Sequence, residues 1–128
     1  MWPRVEPLLA TVMPYTYGEF ELDDIRTQAL SNRWQIWVVV EDGDLQNVGA
    51  VAVTGLFPYP RACICEIIAA AATIGRDYWR PLHETVEDWA RGQGCSRMKS
   101  NSRRGMEKVL KPIGYELCAV VMGKVLNA

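Results

Sequence analysis

Residues 100–126, SNSRRGMEKVLKPIGYELCAVVMGKVL, constrain the fold more than any other stretch of this chain. A helical period over 103–111 places Met106, Val109 and Leu110 on one side of a short amphipathic helix. Pro112 and Gly114 then end it, because proline cannot continue the ladder and glycine accepts the left-handed turn. Residues 115–126 are apolar and free of breakers, and their length and composition predict a strand lying inside a sheet. A chain that closes on such a strand must supply it with neighbours.

The neighbours are legible upstream. Residues 34–40, WQIWVVV, are β-branched and aromatic and too short for a typical helix, so they predict a strand. The polar segment 41–47, with Gly43 inside it, predicts a hairpin turn, and 48–57 the returning strand. Pro58 and Pro60 stop that strand, and 61–72 makes a third, giving an antiparallel meander. The period then changes. Asp77 is placed to cap a helix running to about Arg91, with Tyr78, Leu82, Val86 and Trp89 as one stripe and Glu87–Arg91 as an i,i+4 pair. Gly92 and Gly94 end this helix and 95–99 is a short strand, so 61–99 predicts a parallel, right-handed crossover. Two N-terminal helices precede the meander: 4–13, with Pro3 near its first turn, and 21–30, with Leu22, Ile25, Ala29 and Leu30 on one face. The expected order is ααβββαβαβ, an α+β fold with helices packed on a mixed, twisted sheet.

At 128 residues, about half of them apolar, the chain predicts a single domain over 1–128 with one core. A formal net charge of −1 argues against a nucleic-acid partner, which would call for an excess of phosphate-neutralising cations; a local cluster at Arg97, Lys99, Arg103 and Arg104 is the exception. Glu6 and two prolines interrupt the N-terminus, which does not read as a signal peptide, and the longest apolar run, 67–72, is far too short to cross a bilayer. The expectation is a soluble, intracellular protein without a membrane partner. Cys63, Cys65, Cys95 and Cys118 read as free thiols, and with His83 the sole histidine no metal site is expected.

Two features carry possible chemistry. Glu66 sits in the apolar strand RACICEIIAAA, where an unpaired carboxylate is costly to bury or rises in pKa. It either turns to solvent or to a partner such as Arg61, or it is a base. Arg103 and Arg104 place two cations at a helix N-terminus, against the macrodipole, which is explicable if an anion or an acidic partner sits there. Pairing with surface carboxylates is the simpler alternative. Trp34, Trp37, Tyr78, Trp79 and Trp89 have the spacing of core residues, whereas Trp2, Phe57 and Tyr59 fall outside it. His83 reads as a packed helix residue.

The element order, with VLKPIGYEL followed by VVMGKVL at its end, resembles the GNAT superfamily of acetyl-coenzyme A-dependent N-acyltransferases over roughly residues 21–126. GNAT-like proteins of tailed phages have a similar cadence. The resemblance implies a cofactor lying between strand 67–72 and the helix after Gly75, with Ala69, Ala71, Gly75, Arg76, Arg80, Arg103 and Arg104 around it and Glu66 as general base toward the acceptor amine. The chain departs from the pattern twice. The family's Arg/Gln-x-x-Gly-x-Gly/Ala loop is here Ala71-Ala72-Thr73-Ile74-Gly75-Arg76-Asp77-Tyr78, with one glycine and an added negative charge. The tyrosine that many members use as general acid corresponds by spacing to Leu110. Two functions are implied: an active acetyl-CoA-dependent N-acetyltransferase, or a GNAT fold with a degenerate cofactor site kept as a binding or virion-associated module. The missing residues favour the second. A protein partner in a phage particle or the host cell, and a location in the host cytoplasm or the virion, are what the phage resemblance implies; acceptor, partner and oligomeric state are not specified by the sequence.

Overall fold

The computed structural model describes residues 1–102 and 106–126, and at Arg76 the backbone alone. The expectations placed on Arg103 and Arg104 lie outside the described residues. The elements are α1 (Trp2–Ala10), α2 (Leu22–Leu30), β1 (Trp34–Val40), β2 (Val48–Pro58), β3 (Cys63–Ala72), α3 (Trp79–Gly92), β4 (Arg97–Ser100) and α4 (Glu107–Leu110). The mixed α+β architecture expected from the sequence is the one observed.

The meander forms because its strands are near-continuous apolar runs, fit to be covered on both faces, and its turns are polar or carry proline. β1 pairs antiparallel with β2 and β2 with β3, while β4 joins β3 in parallel, giving a sheet of order β1-β2-β3-β4. Trp37 on β1 donates its indole N–H to the Thr54 hydroxyl at 2.9 Å, and Thr54 donates to the Gln35 side chain at 3.0 Å. A fully buried threonine thereby satisfies the one polar atom of a half-buried tryptophan.

Each face of the sheet carries its own core. On one, Val5, Leu8 and Leu9 of α1 and Ile25 of α2 pack on Val51 and Val53. On the other, Trp79, Leu82, Val86 and Ala90 of α3 pack on Ala52 and Cys65. The buried stripe of α3 is thus set one residue round from the expected one and takes in His83 and Ala90, with Tyr78 and Trp89 at its margins. Glu21 caps α2 in a reciprocal box with Asp24. Leu30, expected on the buried face of α2, is 76% exposed because α2 ends there and turns away.

Two further expectations are corrected. Asp77 does not cap α3; it lies within a tight turn, Arg76–Tyr78, that leads into the helix, and the capping position falls on Tyr78. The final strand is not part of the sheet. Residues 115–126 run on without turn or bend and pair with no described strand, although they are as apolar as the sequence showed. Hydropathy registers the need for burial and says nothing of which edge provides it.

Candidate functional site at the parting of β3 and β4

The ladder between β3 and β4 stops early. It runs from Ile64↔Arg97 to Ile67↔Ser100, after which β3 continues to Ala72 paired, among the described residues, to β2 alone. The cause is visible in the register with β2: Thr54 faces Ile67 and Val53 faces Ala69, so β3 carries one extra residue, Ile68, just beyond its last pair with β4. Such a bulge bends and twists a strand, here away from its parallel neighbour.

A cavity of about 140 Å3 occupies the opening. Its walls come from both sides of the sheet: Tyr15, Glu19 and Phe20 from the connection between α1 and α2, and Trp79 and Leu110 from the α3–α4 side. Glu66 opens onto it, with its side chain 18% exposed. The register places Glu66 directly opposite Lys99, whose Nζ is 3.9 Å from Oε1. Asn101 donates to the same oxygen at 3.3 Å. Burial pushes the Glu66 carboxyl above the usual carboxylate range; Lys99 pulls it down in part and Glu19 pushes it up again. Of the alternatives weighed for Glu66, the solvated one does not describe it, and its cation is Lys99, not the exposed Arg61.

The other expected residues are dispersed. Ala69 lines the cavity, whereas Ala71 is buried in the α1–α2 core. Gly75 lies beside open space, where an added Cβ would meet nothing within 4 Å. Arg80 is exposed and reaches the Pro112 carbonyl at 3.5 Å. Leu110 is 8% exposed and forms part of the cavity wall. Trp2, Phe57 and Tyr59 do not line the cavity. The residues that sequence reasoning missed are Tyr15, Glu19 and Phe20, in the connection between α1 and α2. Its aromatic content was the available signal.

His83 is enclosed and satisfied. Its Nδ1 lies 3.3 Å from the Trp79 carbonyl, which can only accept, so Nδ1 carries the proton and Nε2 accepts from the Tyr115 hydroxyl at 3.2 Å. Burial lowers its pKa, with the Trp79 hydrogen bond and Glu87 opposing. Cys63 and Cys95 bring their sulfurs to 3.1 Å, and burial pushes the Cys95 thiol up to about 12 and that of Cys65 to about 11.

The fold is similar to that of solved GNAT acetyltransferases. A probable acetyltransferase superposes with a TM-score of 0.76 at 12% identity, over 99% of this chain and 91% of its own. AAC(6')-Iy, solved in complex with the bisubstrate analogue CoA-S-monomethyl-acetylneamine, superposes with a TM-score of 0.75 at 16% identity, over 99% and 92%. A GNAT family acetyltransferase of Staphylococcus aureus gives a TM-score of 0.61 at 12% identity, over 84% and 78%. At these identities the likeness is one of fold. No protein-family model matches the chain, and no curated protein does.

Proposed function

We propose that the chain is an acyl-coenzyme A-dependent N-acyltransferase in which Glu66 is the general base. The observation that supports this is a carboxylate of raised pKa at the mouth of a cavity formed where two parallel strands part. A carboxyl group whose pKa is raised is better matched to removing a proton from an ammonium or amine than an ordinary one. Lys99 and Asn101 both reach its Oε1, and the Tyr15–Phe20 connection forms the side from which an acceptor would enter.

The cofactor's two ends fit unequally. Beyond Ile67, β3 offers a strand edge without a partner strand, bordered by Ala69 and Ala70, which suits a thin, amide-bearing arm added alongside as a strand would be. The diphosphate end is served poorly. The turn before α3 has one glycine, Asp77 adds a negative charge, and Pro81 removes one backbone N–H from the first helical turn. Among the described side chains of that turn and the helix start, Gly75 and Arg80 are what remains to hold it. When bound, acetyl-CoA supplies an activated thioester; the protein's contribution is to position the amine and take its proton.

The second reading, a binding or virion-associated module without turnover, is favoured by Leu110, a side chain that cannot donate a proton, in the cavity wall. Calorimetric titration with acetyl-CoA and with S-acetylpantetheine, followed by mass spectrometry of an amine panel, separates the two. The enzyme reading expects both ligands to bind with similar, weak affinity and acyl transfer that Glu66→Gln abolishes. Binding without transfer to any amine selects the module. Absence of binding at millimolar cofactor ends the acyltransferase reading.

A further inference from the structure

Three of the four cysteines meet on the α3 face of the sheet, and the acyl transfer uses none of them. Cys65 and Cys95 belong to the core beneath α3, and Cys63 packs against it at the margin. The fourth, Cys118, is exposed. The sulfurs of Cys63 and Cys95 lie 3.1 Å apart across 32 positions of sequence.

The backbone holds both residues where they are. Cys63 begins β3, and its carbonyl accepts from the Ser96 N–H at 3.1 Å, just ahead of the parallel ladder that starts at Ile64↔Arg97. Cys95 follows the end of α3 and donates its own N–H to the Ala90 carbonyl at 2.9 Å. A disulfide of about 2.05 Å therefore asks the two sulfurs to approach by only about 1 Å. Cys65 is a poorer partner for either. It stands two residues from Cys63 along one strand, roughly 6.5–7 Å between Cα atoms with the side chains side by side, and its thiol is engaged by Thr54.

We propose that Cys63 and Cys95 are a reversible redox pair, in which a hydroperoxide closes a disulfide between the start of β3 and the turn before β4. Cys63 is half-buried and is the sulfur that an oxidant reaches first, whereas Cys95 is enclosed. Burial pushes the Cys95 thiol up to about 12, so this residue keeps its proton until the second step. In the first step the Cys63 sulfur attacks one peroxide oxygen. An S–O bond forms, the O–O bond breaks, and the other oxygen leaves with the thiol proton as water or alcohol. In the second step the Cys95 sulfur attacks that of Cys63. The S–S bond forms, the S–O bond breaks, and hydroxide departs with the Cys95 proton as water. Two thiols have then given two electrons to the peroxide, and a dithiol returns two electrons and two protons to reopen the bridge. The closed form ties the end of α3 to the start of β3 and encloses the whole crossover, residues 63–95.

Hydrogen peroxide in modest excess, applied to the folded chain carrying Cys118→Ser to remove the exposed thiol, tests this by intact mass and non-reducing tryptic mapping. The expected product has lost two hydrogens and links peptides 62–76 and 92–97, with fragmentation placing the bridge on Cys63 rather than Cys65. Its melting temperature should rise by roughly 5–15 °C, as a bridge closing a loop of this length implies, and dithiothreitol should restore the starting value. Cys95→Ala should instead accumulate oxygen on Cys63 and show no such rise. The peptide map uses protein in which both cysteines of the pair are intact, so it decides even if that variant misfolds. A bridge through Cys65, oxygen added to Cys63 without a bridge, a link that forms as fast in denaturing urea as in the folded chain, or a pair that stays reduced would overturn the proposal.

Discussion

Glu66 is a charge set among Ile, Cys and Ala, and a single charged side chain in an apolar strand is visible in sequence without any structure. Its partners are not, because Lys99 and Asn101 reach it only through the parallel register of β3 with β4, which no local pattern encodes. Replacing Glu66 by Gln keeps the shape and removes the base, so kcat should fall by about 10²–10⁴ with little change in melting temperature. The wild-type rate should drop on acidification along a limb lying above the ordinary carboxylate range, and that limb should disappear in the variant's residual activity. Stability moves the other way. A carboxyl whose folded pKa is raised binds its proton more tightly in the folded state, so its contribution is full below the unfolded value and is lost as pH rises through the folded one. Glu66→Gln should therefore be neutral or slightly stabilising at pH 7, by less than about 1 kcal/mol given the partial exposure, as thermal melts at pH 4 and pH 7 would show. His83 has the opposite sense: its lowered pKa means stability held above the unfolded value and lost as pH falls below it. Tyr115→Phe, which strands the buried Nε2, should cost about 1–3 kcal/mol in denaturant titration at neutral pH.

At the scale of elements, the meander was legible because each strand declares itself by residue type and each turn by its polar break. β1 begins and ends where WQIWVVV does. The crossover was legible for the same reason, since the change of period from strand to helix falls within a few residues of Asp77. What the sequence did not show was the bulge at Ile68. One extra residue in an Ile-Ile-Ala-Ala run leaves the apolar pattern intact while turning the strand aside, and that turn is what opens the site. Nor did it show which side chain supports Trp37. Thr54 looks like any β-branched strand residue, yet it is fully buried and its hydroxyl accepts from the indole and donates to Gln35. Thr54→Val, nearly isosteric, should destabilise the β1–β2 pair by about 1–2 kcal/mol, because the part-buried indole N–H loses its acceptor. Trp37→Phe in the same background should recover much of that loss, since the orphaned donor goes with it; a double-mutant cycle from denaturant melts reads the coupling directly.

For the molecule as a whole, the sheet is a shared partition: Val51 and Val53 face the α1–α2 core while Ala52, between them, faces α3. Damage to either side is therefore felt by both, and Leu9→Ala should cost about 2–5 kcal/mol and lower a single unfolding transition at any protein concentration. The C-terminal segment obeys a different rule. In the isolated chain Val121 is 78% exposed, so Val121→Ser removes almost nothing that folding had buried and should change stability by no more than about 0.5 kcal/mol in dilute solution. Denaturant titrations of the wild type and of Val121→Ser should superimpose within that margin, and a larger loss would mean that residues 115–126 are packed in the single chain after all.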